Sequence, residues 1–474
     1  MKKIAILLAM LFYAWSTYCQ ETPSERKKVA VVLSGGGAKG MAHIGALKVI
    51  EQAGIPVDIV TGTSMGSIIG GLYSIGYNAT VLDSLVRLID WSFVLSDRED
   101  TSLQSLRDRQ KQNTYAFSRG FTFGKQNSND GGLIKGKNLA QLFQKLCIGY
   151  TDSLDFNQLP IPFACVATDI TDNSEYDFHS GRLPQAMRAS MAIPAAFSPV
   201  RIGNKVLVDG GLRNNYPADL AREMGADIII GVTVQGNPKT GEELGHTMSI
   251  LSQIIDVNCK NKYDENLLIT DVPIRVNTDG YSAASFSESA IQELIRRGEA
   301  EAMKHWDELI SLKQRIGIDD TFRPNRLTPK NPSALSEKIK VTAFVFENVT
   351  SHDEHFIRSK FNLHKCDSID SAKEDKIATS MRLDLFYQNV DIHSVPDGDG
   401  YKIIFTAGNK KTSHVYLGGR FDSEEIVALQ LNADFPLQVG IPIDADLTLR
   451  LGKRIMARGE MTLHPRSFTR PSLS

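Results

Sequence analysis

Cysteine is scarce. The 474 residues hold five, at positions 19, 147, 165, 259 and 366, too few and too widely spaced for a disulfide framework or a zinc site. Cys165 lies in an apolar, strand-like run and is expected as a buried thiol. A basic excess is also missing. With 53 Lys and Arg against 55 Asp and Glu the net charge is -2, so nothing is available to track a phosphate backbone, and nucleic acid is excluded as a partner. No acidic or histidine cluster at metal spacing is visible, so neither metal nor other cofactor is expected. Histidine is present but badly placed for catalysis. His246 lies in a Gly/Glu-rich loop, His305 in a charged helical stretch, and His43 inside a helix near the N-terminus. Neither His246 nor His305 follows a strand end, and His43, which could approach the glycine loop, is expected to be packed or solvated in the first turn, so a Ser-His-Asp triad would lack its base.

The apolar run Ile4 to Trp15, after Lys2 and Lys3, is too short to span a bilayer. Followed by Ser16-Thr17-Tyr18-Cys19-Gln20, it has the three-part layout of a secretory signal peptide, with cleavage expected after Cys19. A lipid anchor on Cys19 is the lesser alternative. The chain is too long for one typical domain and suggests two or three, and at 42% hydrophobic residues it has ample material for their cores.

The stretch that organises the chain is Ile55 to Gly76. Val57-Asp58-Ile59-Val60 reads as a buried strand, and Met65 to Ile75 has helical spacing closed by Gly76. Between them stands Gly62-Thr63-Ser64-Met65-Gly66, a glycine-x-serine-x-glycine pattern in a strand-turn-helix setting. There a serine is held out of the sheet with its hydroxyl exposed. Upstream, the strand Lys28 to Leu33 runs into Ser34-Gly35-Gly36-Gly37-Ala38-Lys39-Gly40, and a helix follows from about Met41 to Ala53. A dinucleotide-binding loop would need an acidic residue after the next strand, and a phosphate loop would need Ser or Thr after Lys39. Neither is present. The remaining reading is an oxyanion hole made by the backbone N–H groups of Gly36, Gly37 and Ala38. Neighbouring parallel strands bring both turns to one sheet edge, where such folds bind ligands.

Further on, Pro162 to Thr168 reads as a strand, Pro184 to Met191 as a helix and Lys205 to Val208 as a strand that ends in Asp209-Gly210-Gly211. Asn214 or Asn215 is expected to cap a helix with Pro217 in its first turn, and Ala226 to Val234 is another buried strand. Strand and helix alternate, which predicts an α/β domain with a mostly parallel sheet. Asp209 is the favoured base for Ser64. Residues 80–130 carry a helix from Leu82 to Val94 and then a charged tract, expected as a solvated excursion rather than a lid.

The order Gly35–Gly40 (GGGAKG), Gly62–Gly66 (GTSMG), Ala189–Phe197 (ASMAIPAAF) and Asp209–Gly211 (DGG) resembles the patatin-like phospholipase family. The resemblance implies a three-layer α/β/α acyl hydrolase over residues 28–320, with a Ser-Asp dyad and no histidine or metal. By position Ser64 would be the nucleophile, Asp209 the proton acceptor and the Gly36 to Ala38 amides the oxyanion hole. Gly35, Gly40, Gly62, Gly66, Gly210 and Gly211 would be the motif glycines. The implied substrates are phospholipid or lysophospholipid esters at a membrane surface.

A Pro-, Asn- and Ser-rich linker at 321–336 marks a boundary. Residues 337–408 read as β-α-α-β-β, with strands at Ile339 to Phe346, Leu385 to Ile392 and Tyr401 to Thr406 and helices at Glu354 to Phe361 and Ser371 to Met381. This order is similar to a periplasmic polypeptide-transport-associated module. Residues 413–474 alternate cleanly as four strands, apolar on one side and polar on the other, as the start of an outer-membrane barrel would. A barrel needs about eight strands to close, so these four are expected to be a fragment of one; a small soluble sheet packed on the module is the alternative. The combination is similar to exported bacterial phospholipases of Gram-negative periplasm, outer membrane or cell surface. It also admits a different class of function, an outer-membrane secretion or assembly protein working with assembly machinery, in which the hydrolase is a passenger. A serine peptidase is disfavoured by the missing histidine.

Overall fold

The protein is described by a computed structural model. It describes residues 26–98, 117–121, 132–236, 253, 257, 260–319, 321–324, 338–365, 367–387, 389–410, 413–420, 428–439 and 441–463. The expected signal peptide, His246 and most of the expected linker lie outside these.

The first body is a sheet covered by helices. In chain order its elements are β1 (Val29–Leu33), α1 (Ala42–Gln52), β2 (Ile59–Thr63), α2 (Met65–Ser74), β3 (Phe163–Asp169), β4 (Ser174–Phe178) and α3 (Leu183–Ser190). They continue with β5 (Val200–Ile202), β6 (Lys205–Asp209), α4 (Ala218–Glu223), β7 (Ile228–Thr233), β8 (Val272–Arg275) and α5 (Glu288–Lys304). Five strands run parallel in the order β3-β2-β1-β7-β8, and β6 then β5 extend the β3 edge antiparallel. β4 pairs antiparallel with β3. The apolar, β-branched runs VAVVL and IIIGVT suit strands buried on both faces, and every residue of β1, β2, β3 and β7 is buried. Alternate side chains feed two cores. Val29, Val31, Leu33, Ile228 and Ile230 join the cluster lined by α1, α2, α3 and α5, while Ala30, Val32, Ile59 and Ile229 join Tyr216, Ala218, Ala221 and Tyr263 on the other face. Helices on both faces make three layers.

One local expectation is corrected. Neither Asn214 nor Asn215 caps α4; Pro217 itself holds the N-cap position, with no side-chain bond there. The Asn214 amide instead donates to Glu175 and Asp219, and that of Asn215 to Gln235. Most of the charged tract expected as a solvated excursion, residues 99–116 and 122–131, lies outside the described residues. Asp97 accepts the amides of Lys135, Gly136 and Lys137 at the start of helix Lys137–Leu146.

A second body follows: β9 (Ile339–Glu347), α6 (Ser351–Lys360), β10 (Ser368–Ile369), α7 (Ser371–Leu383), β11 (Val390–Asp397) and β12 (Gly400–Ala407). The strand expected from Leu385 begins at Val390, because Leu385, Phe386 and Tyr387 are buried outside any strand. Its sheet order is β10-β9-β12-β11, with β9 and β12 parallel and a tight β11–β12 hairpin at Gly398, φ 62°. Its own core includes Ile357, Ile377, Met381, Ile403 and Phe405, with Ile148 of the first body packed against it. Lys145 pairs with Asp375, Arg182 with Asp391, and the Thr151 hydroxyl with the Ser394 carbonyl.

The last four strands, β13 (Ser413–Arg420), β14 (Ala428–Val439), β15 (Ile441–Leu451) and β16 (Met456–Leu463), form an antiparallel meander. The strand Phe117–Phe121 adds to its β13 edge. Burial on this sheet is inverted. Leu429, Leu447, Met461 and Leu463 are exposed, Met461 at 70%, while Asn432, Asp434, Asp444 and Asp446 are buried. The apolar face is therefore not packed on the second body. No described helix is long and apolar enough to cross a membrane.

Candidate active site

The turn between β2 and α2 is tight because glycine permits it. A Cβ on Gly66 would stand 2.1 Å from the Leu33 carbonyl oxygen, so only glycine lets α2 approach β1 this closely. Ser64, at the apex, has φ 54° and ψ -121°, a strained backbone of the kind that costs about 1–3 kcal/mol and clusters at functional sites. Its side chain is 5% exposed. The hydroxyl donates to Asp209 Oδ2 at 2.7 Å.

Asp209 arrives from the end of β6, opposite Ala167 of β3, and is 2% exposed. Its Oδ1 accepts the Gly211 amide at 2.8 Å, and its own N–H donates to the Ala192 carbonyl at 2.9 Å. Burial pushes its carboxyl up to about 6, although the bonds from Ser64 and Gly211 pull the other way. A carboxylate with that proton affinity can take the serine proton near neutral pH.

The glycine loop lies beside this pair; a Cβ on Gly35 would sit 3.1 Å from Ser64 Cβ. Of the three amides expected to form the oxyanion hole, Ala38 does not qualify. Its N–H donates to the Ala283 carbonyl at 2.9 Å. Gly37 adopts φ 57°, with Ala283 packed where a side chain would go. The amides of Gly36 and Gly37 have no acceptor among the described residues.

His43 is buried, and its Nε2 donates to the Ser34 carbonyl at 2.8 Å, a role that requires the proton on that nitrogen. Burial lowers its pKa to about 4, so it is a neutral anchor for the start of the glycine loop. His305 pairs with Glu308. Among the described residues no histidine hydrogen-bonds Ser64 or Asp209. Cys165 is a free buried thiol, its pKa pushed up by burial. The described residues hold no His/Cys/Asp/Glu group able to bind a metal ion.

Residues 31–222, which contain the glycine loop, Ser64 and Asp209, match the family described as patatin-like phospholipase. This is a patatin-like α/β hydrolase fold. Relatives of the patatin-like segment include human patatin-like phospholipase domain-containing protein 6, 34% identical over 215 residues, 45% of this chain and 14% of that one. Lysophospholipase NTE1 of Scheffersomyces stipitis is 32% identical over 223 residues, 47% of this chain and 13% of that one. The chain thus spans roughly a seventh of these relatives' length. VipD from Legionella pneumophila overlaps it at a TM-score of 0.37 and 14% identity, covering 76% of this chain and 80% of that one.

Three contributors to this site carry no individual signal in the sequence. Ser190 and Ala192 both touch the Ser64–Asp209 pair through hydrogen bonds. They lie in the ASMAIPAAF stretch, whose presence was visible but whose contacts were not. Ala283 comes from a loop with no motif at all.

Proposed function

We propose that this protein is a serine carboxylic-ester hydrolase acting on phospholipid or lysophospholipid, with Ser64 as nucleophile and Asp209 as its base. The observation that carries the reading is the 2.7 Å bond from the Ser64 hydroxyl to a buried aspartate whose pKa is raised to about 6. A serine hydroxyl is a poor nucleophile unless an adjacent base takes its proton. As Oγ bonds to the ester carbonyl carbon, that proton passes to Asp209. The carbonyl oxygen becomes an oxyanion, which the Gly36 and Gly37 amides stabilise. Collapse breaks the ester C–O bond, and the departing alcohol or lysolipid oxygen takes the proton from Asp209. Water then attacks acyl-Ser64, giving its proton to Asp209. When the tetrahedral intermediate collapses, Asp209 returns the proton to Ser64 and the fatty acid leaves.

Export and attachment belong to the same reading. The N-terminal leader directs the chain out of the cytoplasm, the second body acts as a transport-associated module, and the last sheet is the beginning of an outer-membrane wall. Support comes from its inverted burial, apolar side chains outward and carboxylates inward, which suits lipid on one side and a polar lumen on the other. An open sheet edge is not viable in lipid, so in a membrane the edges of this sheet require strand partners. The second reading, a secretion or assembly protein, shares that sheet but does not need the serine pair.

Ser64→Ala decides between them. It should lower ester hydrolysis by several orders of magnitude, as nucleophile deletion does elsewhere, with an unchanged melting profile. A fluorophosphonate probe should label the wild type at Ser64 and leave the variant unlabelled. Persistent labelling would show that another residue is the nucleophile, and an unchanged phenotype in a strain carrying the variant would favour the secretion reading.

A further inference from the structure

The backbone of Ser64 is held by a group that belongs to neither the glycine loop nor the aspartate. β2 ends at Thr63 and α2 begins at Met65, so the Ser64 N–H lies beyond the ladder and before the helical bonding pattern. In this buried turn it donates to Ser190 Oγ at 3.0 Å. The same hydroxyl donates its own proton to the Val166 carbonyl at 2.6 Å. Ser190 is completely buried, at the last position of α3.

Val166 is where the two halves of the site meet. It pairs with Thr63, the residue before Ser64, in the parallel ladder. Its neighbour Ala167 pairs with Asp209 in the antiparallel one. A Cβ on Gly210 would lie 2.2 Å from the Val166 oxygen, so the aspartate turn packs on the carbonyl that takes the Ser190 proton. Two residues after Ser190, the Ala192 carbonyl accepts the Asp209 N–H. One short segment therefore holds the backbones of both partners. Arg188 steadies it, donating from Nη2 to the Lys135 and Ser198 carbonyls, both at 3.0 Å.

We infer that Ser190 is a positioning residue: its hydroxyl, accepting from the Ser64 amide and donating to Val166, sets the strained turn against the strand that registers Asp209. The inference rests on Ser64 being the nucleophile. A hydroxyl suits this place because one buried atom must both accept and donate. Without it the Ser64 N–H and the Val166 carbonyl lose their partner together, and the turn is free to relax away from φ 54°. Ser64 Oγ then leaves its alignment with Asp209.

The test compares Ser190→Ala and Ser190→Thr in the full chain with wild type, measuring kcat, KM, the rate of fluorophosphonate labelling at Ser64 and the melting temperature. A displacement of about 1 Å at a reacting group can cost on the order of 100-fold. The alanine variant should accordingly lose on the order of 10- to 100-fold in kcat and in labelling rate, with KM within about threefold. Threonine, which keeps the hydroxyl, should recover most of the labelling rate. If the alanine variant does not fold, Ser190→Cys replaces it, since a thiol fills the space with a weaker donor and acceptor, and a similar kcat loss is expected. A wild-type labelling rate in a folded alanine or cysteine variant, or a lowered melting temperature with unchanged kcat, overturns the inference. A wild-type enzyme not labelled at Ser64 overturns instead the nucleophile assignment on which it rests.

Discussion

At the scale of single residues, the role proposed for Asp209 comes at a cost to stability. Its pKa rises from 3.8 to about 6 on folding, with burial the largest cause. A raised carboxyl pKa favours the folded state fully only below the unfolded value. The benefit is lost as pH climbs through the folded value, between about 3.8 and 6. That rise corresponds to about 3 kcal/mol, a large share of a domain's net stability. Asp209→Asn should therefore abolish most hydrolysis, because an amide cannot accept the serine proton. It should also become more stable relative to wild type as pH rises across that window, with the difference level above about pH 6. Paired urea titrations at about pH 4 and about pH 7 check this; a difference that does not grow between them would mean Asp209 is not ionised at a cost. In the wild type the same group sets the acid limb, so kcat/KM should fall about tenfold per pH unit below about pH 6.

At the scale of elements, the site depends on how closely helix α2 can lie on strand β1. Two effects oppose each other in Gly66→Ala. Alanine is the better helix former by about 0.5–1 kcal/mol. Its methyl carbon would stand 2.1 Å from the Leu33 carbonyl oxygen, with Leu33 C at 2.6 Å and Ser34 O at 2.7 Å. These are backbone atoms of the central strand and its exit, which cannot rotate away as a side chain can. Overpacking of this kind costs about 1–3 kcal/mol, so sterics win. We expect a destabilised protein in urea denaturation, with activity lowered beyond what the unfolded fraction explains, because the helix carries Ser64 with it. Stability equal to or above wild type would show that α2 is free to shift. Much of this element was legible in the sequence. A β-branched run, a glycine-flanked serine and a helical spacing closed by Gly76 each depend on neighbours close in the chain. The expected caps at Asn214 and Asn215 failed because their side chains are taken elsewhere: Asn214 by Asp219 of α4 itself and by Glu175 of β4, and Asn215 by Gln235 just beyond β7.

At the scale of the whole molecule, the last sheet shows most of its apolar side chains to the outside while its carboxylates are enclosed. Asn432 donates to Asp446 and Thr448, and Tyr416 to Asp434, across the strands. Water is a poor solvent for the outer face, since exposed apolar patches of this kind mark association or membrane contact. Residues 20–412 should accordingly give a soluble, active hydrolase, because Ser64, Asp209, Ser190 and the glycine loop all precede the cut. The full 474 residues should aggregate or require detergent. Size-exclusion chromatography with and without detergent distinguishes the two, and a full chain that runs as a soluble monomer would overturn the lipid-facing assignment. The cut removes the partner of strand Phe117–Phe121, which pairs with β13. The truncated chain therefore carries one unpaired strand, a known invitation to self-association, and low protein concentration favours the comparison.

The sequence by itself determined what neighbouring residues determine. It placed the alternating strands and helices of the α/β body, put Ser64 on a tight turn between strand and helix, set a glycine loop at the same sheet edge, and marked the final strands with one apolar and one polar side. These follow from glycine's conformational range, from the two periodicities, and from the scarcity of suitably placed histidine. Only the tertiary structure decided which groups meet. Ala283 takes the Ala38 amide and leaves Gly36 and Gly37; Ser190 holds the Ser64 backbone; burial raises the Asp209 pKa; and Phe117–Phe121 joins a sheet formed hundreds of residues later. It also decided which side of that sheet is enclosed, since a period of two defines two faces but not which of them is covered. Each of these depends on a contact between residues far apart in the chain, and hydrogen-bond partners at such distances are fixed by packing rather than by local preference.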